Sequence, residues 1–375
     1  MRLLDRYLLR EFLIPLGFCL FTFFMLWVSL DLFSELHSML QEKHLRAHDI
    51  IAYYVFKSPE IFVLVLPMGL LLALLYTLTN HARYNEITAI RAAGISLWRL
   101  CVPYLAVGFL ATVALFVLNE FCVPNAADRA EDVLRRYVTK KATPEERNTI
   151  HNFGFTNMRE GRRTWQIGVY NFKTFQMQNP QVNWHSTNGA VLWLAADEAI
   201  WTNENWVFSG KVREHIEASG QLRPLLATNL LAMPEFSERP EEIQSEININ
   251  EGINSFSRTR RADIPLREIF NYLQLHPVPE KTVGPWIYTK LHGRFAGPCV
   301  CLVVVLIAVP FAAGSGRRNV FVGVASSIFI FLIYFFLQQL GFAYGEKGQI
   351  AAWLAAWFPN LLFGTAGFWM MARVR

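Results

Sequence analysis

Cysteine is scarce in this sequence, five residues in 375, and none falls between Cys122 and Cys299. A segment of that length without a thiol cannot be stapled by disulfides, so whatever folds there depends on an apolar core. Cys299 and Cys301 are two apart, on different sides of any helix, and form no chelating pair there. Charge is sparse too, at 17 % of residues, and the net +5 includes no basic stripe interleaved with aromatics, so nucleic acid is excluded as a partner. Catalytic signatures are missing as well. No GxxxxGK(S/T) loop is present to cradle a nucleotide, and there is no HExxH, GxSxG or kinase set. His44 and His48 share a helical spacing, but with only Asp49 nearby as a third donor they read as a solvated loop rather than a metal site. No catalytic residue, metal ligand or cofactor is assigned.

What the chain has is apolar length. With 53 % apolar residues it is too hydrophobic for an ordinary soluble protein, and those residues are bunched. Runs at 12–33, 59–79, 101–122, 295–313, 320–340 and 350–371 each approach the ~20 residues that cross a bilayer as helix, which predicts six transmembrane helices. The first run is longer than a signal-peptide core and ends in "SLDLFSEL", without a small-residue cleavage site, so it is expected to stay as a span. With the amino terminus inside, the inner segments carry Arg2, Arg6, Arg10, Arg83, Arg91, Arg99, Arg317, Arg318, Arg373 and Arg375. The short outer loops carry only Lys43, Arg46, Lys57 and Lys347, as the positive-inside rule asks. Both termini are then cytoplasmic and the stretch between spans three and four is outside.

Three regions follow: 1–122 with the first three spans, 123–285 as an outer domain, and 286–375 with the last three spans. In the middle region the period shortens to alternation. Trp165, Ile167 and Val169 share a strand face, and Asn188-Gly189 is a two-residue hairpin turn, which predicts an antiparallel, jelly-roll-like β domain. "AADRAEDVLRRYVTKK" and "ADIPLREIFNYLQL" read as amphipathic helices flanking it. Aromatics read as inward, Trp165, Trp193 and Trp206, either line a lipid groove or fill an ordinary core.

Between the second and third runs, "NEITAIRAAGISL" reads as a short helix near 82–94 that stops at Gly94 and restarts at an N-capping Ser96. Ile87, Ile90, Gly94 and Leu97 share one face, with Glu86 and Arg91 elsewhere. Asp31 and Glu35, four apart near the outer end of the first run, are assigned to the solvated interface. Lys290 and Arg294, also four apart, stand at the outer start of the fourth run and either face an anionic ligand or snorkel into headgroups.

"LDRYLLREFL", "NEITAIRAAGIS", "LHGRFAGPCVCLVVVLIAVPFA" and "LAAWFPNLLFG", in that order around an outer β domain, resemble the LptF/LptG permease family of the lipopolysaccharide exporter over essentially the whole chain. The resemblance implies a multi-pass inner-membrane subunit of an ABC transporter, paired with a paralogous LptF- or LptG-like permease and driven by cytoplasmic LptB-like ATPase subunits. It also implies LptC-like and LptA-like periplasmic bridge proteins as further partners, a jelly-roll domain that hands lipopolysaccharide to them, and a lateral gate at the first and fifth spans. The helix carrying Glu86, Ile87, Ile90, Arg91 and Gly94 would be the ATPase-coupling helix, and Lys290 and Arg294 are the candidates for lipid headgroups. Family members often carry basic residues near the outer end of the first span, where Asp31 and Glu35 stand here. A membrane-anchored periplasmic enzyme acting on lipid or glycan, or an envelope scaffold, is the competing expectation.

Overall fold

The computed structural model describes residues 3–37, 39, 46–138, 149–159, 162–185, 191–218, 221–254, 264–313 and 320–373. The chain divides into two compact units, Met1–Val138 with Pro285–Arg375, and Thr139–Gly284.

The first unit is helical: α1 (Leu3–His37), α2 (Ala47–Arg83), α3 (Glu86–Ala92), α4 (Leu97–Val117), a π-helical turn (Leu118–Cys122) and α5 (Val123–Val138), then α8 (Gly284–Ala296), α9 (Val300–Ala313), α10 (Val320–Glu346) and α11 (Ala352–Arg373). Among the described residues four helices are long and apolar enough to cross a membrane, or five if the bent pair α8–α9 counts as one span. The expected fourth span is thus not one straight helix from 295 to 313. It starts eleven residues earlier, at Gly284, and bends by 51° at Gly297–Cys299, because Pro298 has no N–H to continue the ladder. The last run forms α11, of spanning length at 22 residues, but Pro359, Asn360 and Thr365 interrupt its apolar character.

α2 is the hub, with 67 % of its apolar window buried; Leu70, Leu74 and Leu78 pack with Phe12, Tyr104 and Val305 in one core. α1 and α10 contrast with it, burying only 6 % and 11 %. The break after α8 leaves carbonyls to satisfy in an apolar setting, where each open polar group costs several kcal/mol. Asn360 answers this: its Nδ2 donates to Ala296 O at 2.7 Å while its Oδ1 accepts from Tyr334 OH at 2.6 Å, tying α8, α10 and α11 together. Gly341 lets α10 approach α11, since a Cβ there would lie 2.4 Å from the Ala355 carbonyl.

The second unit holds β1 (Thr149–Asn157), β2 (Arg163–Asn171), β3 (Gln176–His185), β4 (Val191–Ala195), β5 (Glu198–Thr202), β6 (Asn205–Ala218), β7 (Gln221–Met233), α6 (Pro240–Asn254) and α7 (Leu266–Leu275). All pairings are antiparallel. β3 keeps one register along β4 and β5, from His185 opposite Val191 to Gln176 opposite Ile200, so these two are one strand interrupted at Ala196–Asp197. The described strands therefore form a meander of consecutive neighbours, without the crossing connections of a jelly roll. The Asn188-Gly189 turn lies outside the described residues.

Trp165 and Trp206 are fully buried and pack with Phe208, Phe236 and Ile243, so these aromatics fill a core rather than line an open groove. Glu238 anchors the unit. Its fully buried carboxylate accepts from Arg163 Nη1 at 2.8 Å and Asn157 Nδ2 at 2.8 Å, and its carbonyl accepts from Trp206 Nε1 at 2.7 Å. Trp193 departs from the inward reading. Its neighbour Leu194 is the buried residue, and strand alternation turns Trp193 to the other face, where its ring lies 5.3 Å from that of His215.

Candidate functional site

α3 has seven residues and would not hold its shape alone, since a helix that short does not repay its nucleation. Its boundaries are set by backbone chemistry. Asn85 enters in the left-handed region at φ 55°, Gly94 leaves at φ 84°, and the Ser96 side chain caps α4 by accepting from the Arg99 amide at 3.3 Å. What keeps it in place is the rest of its own unit. Ile87 is 7 % exposed within the α2-centred core and Ile90 packs against that core.

Glu86 supplies the polar half of the attachment. Its Oε2 accepts from Tyr7 OH at 3.0 Å and from His81 Nδ1 at 2.7 Å, with the His81 side chain 4 % exposed and that of Glu86 33 %. Glu86 thus joins α3 to the first turns of α1 and the last turn of α2, and a second tie, Arg99 Nη2 to Asp5 at 2.8 Å, joins α1 to the start of α4. The face left outward carries Thr88, Ala89, Arg91, Ala92 and Gly94, all exposed, and a Cβ at Gly94 would meet nothing within 4 Å. The outward surface is therefore small side chains around one arginine. Ile87, Ile90 and Glu86, anticipated as surface contacts, are turned to the protein's own helices. Sequence periodicity gives the shared face of Ile87 and Ile90 but not which neighbour it meets.

The other candidates have partners of their own. Lys290 Nζ lies 2.9 Å from Glu346 at the end of α10 and 5.7 Å from the Trp286 ring centroid. Arg294, one turn on, is 8 % exposed and donates from Nη1 to the Asn119 carbonyl at 3.1 Å, in the π-helical turn. The two cations share a face of α8 but differ in access, with only Lys290 partly open to solvent. Asp31 is not simply solvated. It pairs with Lys57 at 3.0 Å and accepts from Tyr54 OH at 3.0 Å, linking α1 to α2. Spacing could not reveal the hydrogen-bonding and ion-pair partners, Glu346, Asn119, Lys57 and Tyr54, since each lies more than 20 residues away. His48 is exposed beside Asp49, His44 lies outside the described residues, and no cluster of three metal-binding side chains occurs among those described.

Residues 6–373 match the family described as lipopolysaccharide export system permease LptF/LptG. The chain is also 22 % identical over 320 residues, 82 % of its length and 81 % of the relative's, to the lipopolysaccharide export system permease protein LptG of Haemophilus influenzae.

Proposed function

The chain belongs to the LptF/LptG family of lipopolysaccharide export permeases, and from that premise we propose that it is one of two paralogous membrane subunits that extract lipopolysaccharide from the inner membrane, driven by separate ATPase subunits. On this reading both termini and α3 are cytoplasmic, six spans cross the membrane with α8–α9 as a broken fourth and α11 as the sixth, and the sheet unit is periplasmic. The sheet unit acts as the receiver that passes lipid to LptC-like and LptA-like bridge proteins.

The observation that carries the proposal is α3: a short helix fixed to α1, α2 and α4 through Glu86 and Ile87 while presenting Ala89, Arg91 and Ala92 outward. Small side chains permit close approach by a partner groove, and Arg91 supplies one charge for an acidic group in it. Because Glu86 and the Asp5–Arg99 tie join three helix ends, a displacement of α3 is passed to α1 rather than absorbed in a loop. α1 and α10, with 6 % and 11 % of their apolar windows buried, leave the surfaces that a lateral gate with the paralogous subunit requires. At α8, Lys290 is the cation that meets anionic headgroups, with a lipid phosphate taking the place of Glu346, while Arg294 braces α8 against the π-helical turn.

Cysteine crosslinking tests this directly. Ala92→Cys in the assembled complex should crosslink to the ATPase subunit in a nucleotide-dependent manner, whereas Cys at the membrane-facing Phe18 should not. Absence of any crosslink from α3 to the ATPase would overturn the coupling role.

A further inference from the structure

The sheet unit carries a crease. Asn152 at φ 53° and Asn179 at φ 51° adopt left-handed backbone, as does Gly210 at φ 85°. Register places Gly168 between them on β2: His151 and Phe153 stand opposite Val169 and Ile167, which in turn oppose Gln178 and Pro180. The line continues through the Asp197 carbonyl, which accepts from the Asn179 amide at 2.8 Å, and the Asp197 carboxylate, which accepts from the Lys211 amide at 2.9 Å. Left-handed residues on β1, β3 and β6 interrupt the regular pairing along this line and bend the sheet into a trough.

Two adjoining clefts of about 490 and 240 Å³ occupy this trough and share Asn179 and Gln181. Gly154, Gln166, Gln181, Ala195 and Arg213 lie in one cross-strand row on this face, combining small residues with long polar ones. The neighbouring row is Thr156, Thr164, Asn183, Trp193 and His215. Two of its buried polar atoms, Asn183 Oδ1 and His215 Nδ1, have no hydrogen-bond partner among the described residues, and they flank Trp193. The clefts themselves are lined by the amide side chains of Asn152, Gln166, Asn179 and Gln181 beside the Trp193 ring, a lining that suits a ligand with hydroxyl groups.

From this we infer that the trough is a saccharide-binding site for a sugar bearing an anionic substituent. Amide side chains offer a donor and an acceptor each, as sugar hydroxyls require. Trp193 gives a flat apolar surface for a pyranose ring, and Arg213 with Lys211 stands at one end for the acidic group. The central strands leave no free backbone edge here, which disfavours an added peptide strand. The inference rests on the export reading only in its choice of saccharide, the glycan of lipopolysaccharide.

The test is calorimetric titration of the full-length chain in detergent micelles with lipid-free core oligosaccharide of lipopolysaccharide, phosphorylated and enzymatically dephosphorylated, and with maltoheptaose. Saturable binding of the phosphorylated core is expected, weakened about tenfold or more by Gln181→Ala or Trp193→Ala, the former an exposed position whose loss leaves the fold intact. Arg213→Gln should bring the phosphorylated core to the affinity of the dephosphorylated one and leave the latter unchanged. Maltoheptaose should bind at least tenfold more weakly than the phosphorylated core. No saturable binding, or equal binding by Gln181→Ala and Trp193→Ala, would overturn the inference. Because the probe carries no lipid, such a failure alongside normal lipopolysaccharide capture by the whole complex would sink the saccharide site alone, and the reverse pattern would sink the export reading alone.

Discussion

Replacing Tyr7 with Phe removes one hydroxyl and nothing else, yet it should loosen a helix 79 residues away in sequence. α3 is held by one polar knot and by apolar packing led by Ile87, and the two can be weighed. A hydrogen bond to an ionised group contributes about 1.5–3 kcal/mol when dry. The Glu86 side chain is 33 % exposed, so water competes and about 1 kcal/mol is the appropriate figure for the Tyr7 bond. That corresponds to roughly fivefold in a local opening equilibrium. Ile87 is 7 % exposed, and truncating it to Ala should cost about 2 kcal/mol, the low end for a buried aliphatic at the margin of a core, or roughly thirtyfold. Hydrogen–deuterium exchange of the full-length chain in nanodiscs reads this out at the amides of Ala93, Gly94 and Ile95, which donate within the α3 turn to Ala89, Arg91 and Ile90. Tyr7→Phe should speed their exchange several-fold, Ile87→Ala more, and neither should alter α11. Wild-type protection in both variants would refute the view that α3 is fastened by its own unit.

Two further outcomes follow from the same reasoning. Glu238→Ala leaves Arg163 and Asn157 facing a buried site that has lost its carboxylate, and should destabilise the sheet unit by about 3–5 kcal/mol, seen as early loss of its near-ultraviolet aromatic signal on heating while helical ellipticity persists. Glu214 sits between Leu194 and Leu226 in the register, and burial, aided by the charge of Glu235, raises its carboxyl above the ordinary value. The folded unit then binds more protons than the unfolded chain, so this group's contribution is greatest at low pH and is lost as pH rises through the folded value; Glu214→Gln should flatten the fall in thermal stability between pH 4 and pH 7.

How much of this was legible beforehand depends on the range of each interaction. The helical runs, the strands and the caps at Gly94 and Ser96 are local, set by periodicity and backbone preference, and they can be read directly from residue order. The bend at Pro298 and the pairings of Asp31 with Lys57, Lys290 with Glu346 and Glu86 with Tyr7 and His81 are products of packing, which spacing does not encode. Trp193 is the instructive case. Two apolar residues in succession, Trp193 and Leu194, cannot both face inward on a strand, and composition gives no reason to choose the leucine until the register is known. The crease was equally hidden, because it needs Asn152, Gly168 and Asn179 on three strands to align.

The central claim is that this chain converts ATP hydrolysis by a partner into movement of lipopolysaccharide. Reconstitution with a paralogous permease and an ATPase in liposomes containing lipopolysaccharide, with a photo-crosslinking periplasmic bridge protein as acceptor, measures that conversion directly. Transfer should require ATP and both permeases, and should fall when Tyr7→Phe or Ile87→Ala loosens α3 while ATPase binding persists. Transfer undiminished when this chain is left out would contradict it.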